Sequence, residues 1–127
     1  MGLRFMDDRT LYRIDNILEH IETIFNDTKN ISLKELKESS LLLRASCFSV
    51  AQIGETMVQL KDALFEKYPE LPWVESKGMR NVIVHDYGHA EIEDVYKTIT
   101  EDLPKLKSDL LKIKADLLEQ RKTEKDN

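Results

Sequence analysis

Between residues 8 and 27 the apolar side chains fall at Leu11, Ile14, Ile17, Leu18, Ile21, Ile24 and Phe25, spaced by three, three, one, three, three and one. That spacing follows the 3.6-residue turn of an α-helix; in a strand, side chains alternate with period two. It predicts an amphipathic helix of about five turns, with Asp7 and Asp8 at its start, where acids favour the helix dipole. The same signal returns late in the chain. From Ile99 the residues Leu103, Leu106, Leu110, Ile113 and Leu117 step by four, three, four, three and four. A heptad-like stripe can be a coiled-coil seam, but with fewer than three repeats it predicts a contact within one bundle. Two such stripes, together with only four glycines and three prolines in 127 residues and a charged fraction of 34%, predict an all-α protein.

The stretches between them divide into further helices. Asn26, Asp27 and Asn30 interrupt the first pattern, and Ser32 followed by Glu35 reads as a capping box opening a second helix. That helix is expected over residues 33–65 with a jog at Ser39-Ser40. Its wide apolar set (Leu42, Leu43, Cys47, Val50, Ala51, Ile53, Met57, Val58, Leu60, Leu64) suits the centre of a bundle. Gly54 inside it costs about 1 kcal/mol relative to Ala and implies close approach of another helix or a ligand. Tyr68 to Pro72 carries two prolines and reads as a stop and turn. A third helix is expected over residues 73–86, with Gly78 one turn inside it and Gly88 as its C-terminal stop. A fourth begins near Ile92 and is kinked or restarted by Pro104, which lacks an N–H and clashes with the preceding turn. Residues 1–118 are expected to form one domain, and the charged stretch 119–127, without an apolar stripe, to fray.

Charge and cysteine content narrow the function. A net charge of −5 argues against a broad, nonspecific nucleic-acid surface, because phosphate affinity comes largely from Lys and Arg. Any RNA contact must be local, through Arg80 and basic residues such as Lys77, Lys34 and Arg44. Cys47 is the only cysteine, so no disulfide forms within the chain, and its apolar surroundings suit a small core residue. No long apolar leader or membrane-spanning run is present, so a cytoplasmic protein without membrane association is expected.

The chemistry-bearing stretch is Met79-Arg80-Asn81-Val82-Ile83-Val84-His85-Asp86-Tyr87. On a helix, Arg80, Val84 and Tyr87 share one stripe and Asn81 and His85 are an i,i+4 pair on the adjoining one, while Met79, Val82 and Ile83 project to the far side. Arg80 and His85 are separated by about 140° on an ideal helix. They converge on one ligand if the Arg bends round, if the helix unwinds near Gly88, or if a second subunit completes the site. Arg is permanently charged and forks onto phosphate; His titrates near neutrality and moves protons. An RNA 2′-hydroxyl attacking the adjacent phosphate would need both roles and no metal. Upstream, Glu55 has two readings, orienting Arg80 or facing solvent. His85 and His89 are spaced as a metal pair, but Gly88 lies between them and no third ligand stands out, so no metal site is assigned. Neither a Gly-rich phosphate loop nor a nucleophile elbow is present.

The run from Arg80 to Tyr87 resembles the signature of HEPN-domain ribonucleases, specifically the HepT-like toxin branch: Arg, usually Asn, three residues, His, any residue, Tyr. Each defining position matches, and the resemblance extends to the Ser49–Glu55 segment upstream and to a proline-containing helix downstream, covering roughly residues 5–118. It implies an up-and-down bundle of four or five helices, paired as a homodimer with two motif copies across a cleft. It further implies a metal-independent endoribonuclease, the toxin of a type VII-like toxin–antitoxin system. Arg80 and His85 would be catalytic, with Asn81 and Glu55 supporting. The expected partner is a minimal nucleotidyltransferase antitoxin that transfers AMP from ATP onto Tyr87, adding bulk and negative charge that repel RNA. Two other classes remain open on the sequence: a non-catalytic nucleotide-binding or scaffolding subunit of a nucleotidyltransferase complex, and a purely structural helical dimer. Loss of RNA cleavage in His85→Ala with partner binding intact separates the enzyme from the binding module.

Overall fold

The computed structural model describes residues 2–81 and 91–126, and among them every regular element is helical. Helix α1 spans Gly2–Asp27, α2 Leu33–Glu38, α3 Ser40–Leu64, α4 Trp73–Arg80, α5 Glu91–Lys97 and α6 Leu103–Asp126, with a π-helical turn at Thr98–Asp102 between the last two. The all-α expectation is therefore met. No helix is long and apolar enough to cross a membrane among the described residues.

In α1 the expected stripe is the buried one: Ile14, Ile17 and Ile21 are fully enclosed, and Leu11 and Ile24 nearly so. The helix begins earlier than expected, at Gly2, so Asp8 lies in its second turn and is paired across the bundle instead of serving the N-terminus. Beyond the end of α1 the Thr28 hydroxyl donates to the Ile24 carbonyl at 2.7 Å, and Asn30 takes a left-handed φ of 59°, a conformation Asn tolerates better than most residues. The capping box forms in both directions: the Glu35 amide donates to Ser32 Oγ and the Ser32 amide to Glu35 Oε1, each at 3.1 Å.

The expected jog at Ser39-Ser40 is a full break. Ser39 is extended (φ −114°, ψ 95°) and its hydroxyl accepts from the Leu42 amide, so one residue ends α2 and caps α3. Helix α3 is the centre of the bundle, as its wide apolar set predicts. It lies against α1 and α4 and buries Leu43, Cys47, Val50, Ile53, Met57, Leu60 and Leu64. The turn before α4 is pinned by Trp73, whose indole N–H donates to the Tyr68 carbonyl at 3.0 Å while its ring meets Phe65 edge-on.

The chain stays helical on its way into Pro104, with Lys97 and Leu103 at the two edges of the π-helical turn both in right-handed helical geometry. The Leu103 amide bonds to the Thr98 carbonyl, five residues back, so the chain widens just ahead of the proline. Pro104 follows at the start of α6, and the wider turn ahead of it accommodates its ring and its missing N–H. The late stripe seals the same core: Ile99, Leu103, Leu106, Leu110, Ile113 and Leu117 are all buried in one cluster with the α1 isoleucines. On the rim, three ion pairs tie α6 to α1: Lys107 to Glu22 at 2.5 Å, Lys114 to Asp15 at 2.7 Å, and Arg121 to Asp8. Each set of partners is spaced by seven and the two run in opposite directions, so α1 and α6 are antiparallel. The stretch expected to fray continues α6 as helix to Asp126, anchored on this rim by Arg121.

Candidate functional site

Arg80 closes α4, and its position is set by Gly54. A Cβ placed on Gly54 would lie 2.4 Å from the Arg80 backbone nitrogen, 2.7 Å from the Ser76 carbonyl oxygen and 2.8 Å from Met79 Cβ. Real Cβ atoms essentially never sit so close, so α4 rests on α3 only because residue 54 has no side chain. Ser76, fully buried at this crossing, donates its hydroxyl to the Pro72 carbonyl at 2.6 Å and so hides its polarity within its own helix. Met79 is buried and Arg80 exposed, as the helical projection predicts. Backbone packing thus holds Arg80 in place while its guanidinium remains in solvent.

Glu55, the residue after this glycine, reaches the same guanidinium. Arg80 Nε lies 4.0 Å from Glu55 Oε2, with both side chains nearly half exposed. A pair this long and this wet is screened by solvent and contributes under about 1 kcal/mol. It therefore costs little to exchange for a phosphate, and it places Glu55 beside Arg80 rather than simply out in water. Asn81 follows as the C-terminal cap of α4, exposed, its backbone N–H donating to the Lys77 and Gly78 carbonyls. His85, Tyr87, Gly88 and His89 lie outside the described residues, and with them the convergence of Arg80 and His85 and the stop expected at Gly88. Among the described residues no group of three or more His, Cys, Asp or Glu could hold a metal ion.

The basic residues expected to help are dispersed. Lys77 is one turn before Arg80 on α4, exposed. Arg44 is three turns along α3 from Glu55, about 16 Å by helical rise, and its Nε donates to the Ser40 carbonyl at 3.3 Å. Lys34 belongs to α2, which packs on α3 and α5. Residues not singled out by their sequence pattern gather around Glu55. Glu55 also lines a groove between α1 and α3 whose other walls include Arg9, Tyr12 and Arg13. On another side of α4, a cavity of about 320 Å³ touching Met79 is ringed by Glu70, Glu75, Asp102 and Asp109 with Lys105, a set that repels phosphate. Cys47 is buried, and burial pushes its thiol above the ordinary 9.0, so it stays protonated and takes no part in nucleophilic chemistry.

Comparison with known proteins identifies the family. Residues 15–113 match the family model described as "Ribonuclease HepT-like". A protein of Caldanaerobacter subterraneus subsp. tengcongensis named "Putative RNase TTE0752" is 30% identical over 93 residues, covering 73% of this chain and 83% of its own. One of Thermococcus cleftensis named "Probable ribonuclease HepT" is 29% identical over 94 residues, covering 74% and 86% respectively. No solved structure matches the chain.

Proposed function

The chain belongs to the ribonuclease HepT-like family, and from that membership we propose that it is a metal-independent endoribonuclease whose reacting groups are Arg80 and His85. The observation that carries this reading is the setting of Arg80: a cation fixed at its backbone by the Gly54 contact, with its guanidinium in solvent and only loosely paired to Glu55. In the proposed reaction the ribose 2′-oxygen bonds to phosphorus as the P–O5′ bond breaks. His85 takes the 2′-hydroxyl proton, the departing 5′-oxygen takes a proton from water, whose hydroxide returns His85 to its neutral form, and Arg80 holds the charge developing on the phosphoryl oxygens. Asn81 and Glu55 support Arg80, the first by capping its helix and the second by orienting the guanidinium.

The test is cleavage of a fluorescent single-stranded RNA in excess chelator. The expected product carries a 2′,3′-cyclic phosphate, and Arg80→Ala and His85→Ala each abolish it without changing the melting temperature. General acid–base help is worth about 10²–10⁴-fold, so normal cleavage by His85→Ala would overturn the mechanism. The proposal extends to context. The active form is a homodimer that brings two motif copies together, checked by sedimentation at micromolar concentration. The protein is the toxin of a pair whose nucleotidyltransferase antitoxin joins the Tyr87 hydroxyl to the α-phosphorus of ATP, releasing pyrophosphate. Tyr87→Phe should escape that modification and retain cleavage; adenylylation of the Phe variant at the same site would rule the assignment out.

A further inference from the structure

With a net charge of −5 this chain can meet phosphodiester only through a local surface, and the α1–α3 groove supplies one. It has a volume of about 430 Å³ and is walled by Arg9, Tyr12, Arg13 and Asn16 from α1 and by Gln52 and Glu55 among others from α3. Arg9 and Arg13 are an i,i+4 pair and so neighbours on one face of α1. Tyr12, between them in sequence, is 72% exposed, an uncommon state for a large ring. Asn16 is fixed from across the groove, its Oδ1 accepting from the Thr56 hydroxyl at 3.4 Å, which turns the amide N–H groups into the available donors. Glu55 belongs both to this groove and to the ion pair with Arg80 at 4.0 Å, so one side chain links the groove wall to the guanidinium proposed to hold the scissile phosphate.

We propose that this groove is a binding track for single-stranded RNA, receiving the nucleotides that flank the cleaved bond. The proposal rests on the ribonuclease reading for its ligand. Arg9 and Arg13 hold backbone phosphates, Tyr12 offers a face on which a base stacks, and Asn16 donates to base or ribose oxygens. Cations flanking an aromatic platform are the general means of holding a single strand without sequence preference. Helix pairing explains the shape: Ile14 and Ile17 turn into the core, which leaves Arg9, Tyr12, Arg13 and Asn16 on the rim facing α3.

The measurement is binding of a fluorescent 2′-O-methyl RNA decamer, which cannot be cut through its 2′-position, to the full chain across a salt series. Replacing Arg9 and Arg13 together with Ala should weaken binding and lower the steepness of log affinity against log salt by about 1.4, roughly 0.7 for each single-strand phosphate no longer neutralised. Tyr12→Ala should weaken binding about tenfold or more, as removal of one stacking platform predicts, while Tyr12→Phe keeps the ring and the affinity. Lys29→Ala, just beyond the far end of α1, controls for general charge. Wild-type affinity and salt dependence in the Arg9/Arg13 and Tyr12→Ala proteins would overturn the proposal. So would weakened binding accompanied, in sedimentation, by a change in oligomeric state, since the groove would then be a subunit contact. Because the decamer needs no chemistry, a wild-type protein that binds it but leaves ordinary RNA uncut counts against the ribonuclease reading and not against the track.

Discussion

Gly54 of α3 and Arg80 of α4 meet backbone to backbone, at a distance that leaves no room for a β-carbon between them. Gly54→Ala must therefore push α4 outward or bend α3. Overpacking of this kind typically costs about 1–3 kcal/mol, which urea denaturation would register. Because the atoms displaced include the backbone of Arg80, RNA cleavage should fall further than the reduced folded fraction explains. Gly78→Ala is the matched control, since a Cβ there meets nothing within 4 Å; in a helix interior it should be neutral or slightly stabilising.

Glu55→Gln removes a carboxylate that is 4.0 Å from Arg80 and nearly half exposed. Stability should move by less than about 0.5 kcal/mol. If Glu55 orients the guanidinium, the turnover number drops several-fold at unchanged melting temperature. An unchanged turnover number would leave Glu55 as a solvent-facing neighbour.

Adjacent leucines on α6 should respond in opposite ways. Leu110 is fully buried and Leu111 is 48% exposed. Leu110→Ala should cost about 2–5 kcal/mol, from forfeited transfer energy and the cavity left behind, whereas Leu111→Ala should stay within about 0.5 kcal/mol. Chemical denaturation of both variants checks the pair, and equal losses would mean that the helix is rotated relative to the orientation described above.

Two groups predict weakness in alkali. Burial raises the Cys47 thiol above 9.0, and burial followed by the charge and hydrogen bond of Asp116 raises the Tyr68 phenol above 10.0. The folded chain therefore retains protons that the unfolded chain releases. The stabilisation is complete below about pH 9 and is lost as pH climbs through the raised values. Melting temperature should decline above pH 9, and less steeply in Cys47→Ala measured against its own value at pH 7. The same burial predicts that iodoacetamide labels Cys47 only once urea has opened the core.

Much of this architecture is legible in local spacing. The three-and-four steps of α1 and α6 name the residues that prove buried, Ser32 with Glu35 marks a helix start, and Gly54 announces a close approach before its partner is known. The π-helical turn is not legible, because Pro104 is equally compatible with a kink and with a restart; the choice depends on how α5 and α6 must sit on the core. The groove is hidden for a different reason. Arg9, Tyr12 and Arg13 form an ordinary polar stripe of α1, and only the docking of α1 on α3 brings them to Glu55. The site motif is legible as chemistry through Arg80 and Asn81, while its His85 and Tyr87 lie outside the described residues. The ion-pair ladder has a sequence signal of its own, plain only once the helices are paired: acids at 8, 15 and 22 and bases at 107, 114 and 121 repeat with a common period.

That repeat bears on how the chain reaches its fold. The partners of each pair are separated by most of the chain's length, so closing α1 onto α6 is the entropically costliest step of assembly and is expected to come after the α1–α3 and α3–α4 contacts. Apolar seams alone tolerate a slip, because one leucine substitutes readily for the next along a heptad. A ladder with acids confined to one helix and bases to the other attracts at long range, and of all the heptad offsets only the native one engages all three rungs. The rim charges contribute little to final stability, yet they act as a vernier, selecting the alignment on which the last helix locks.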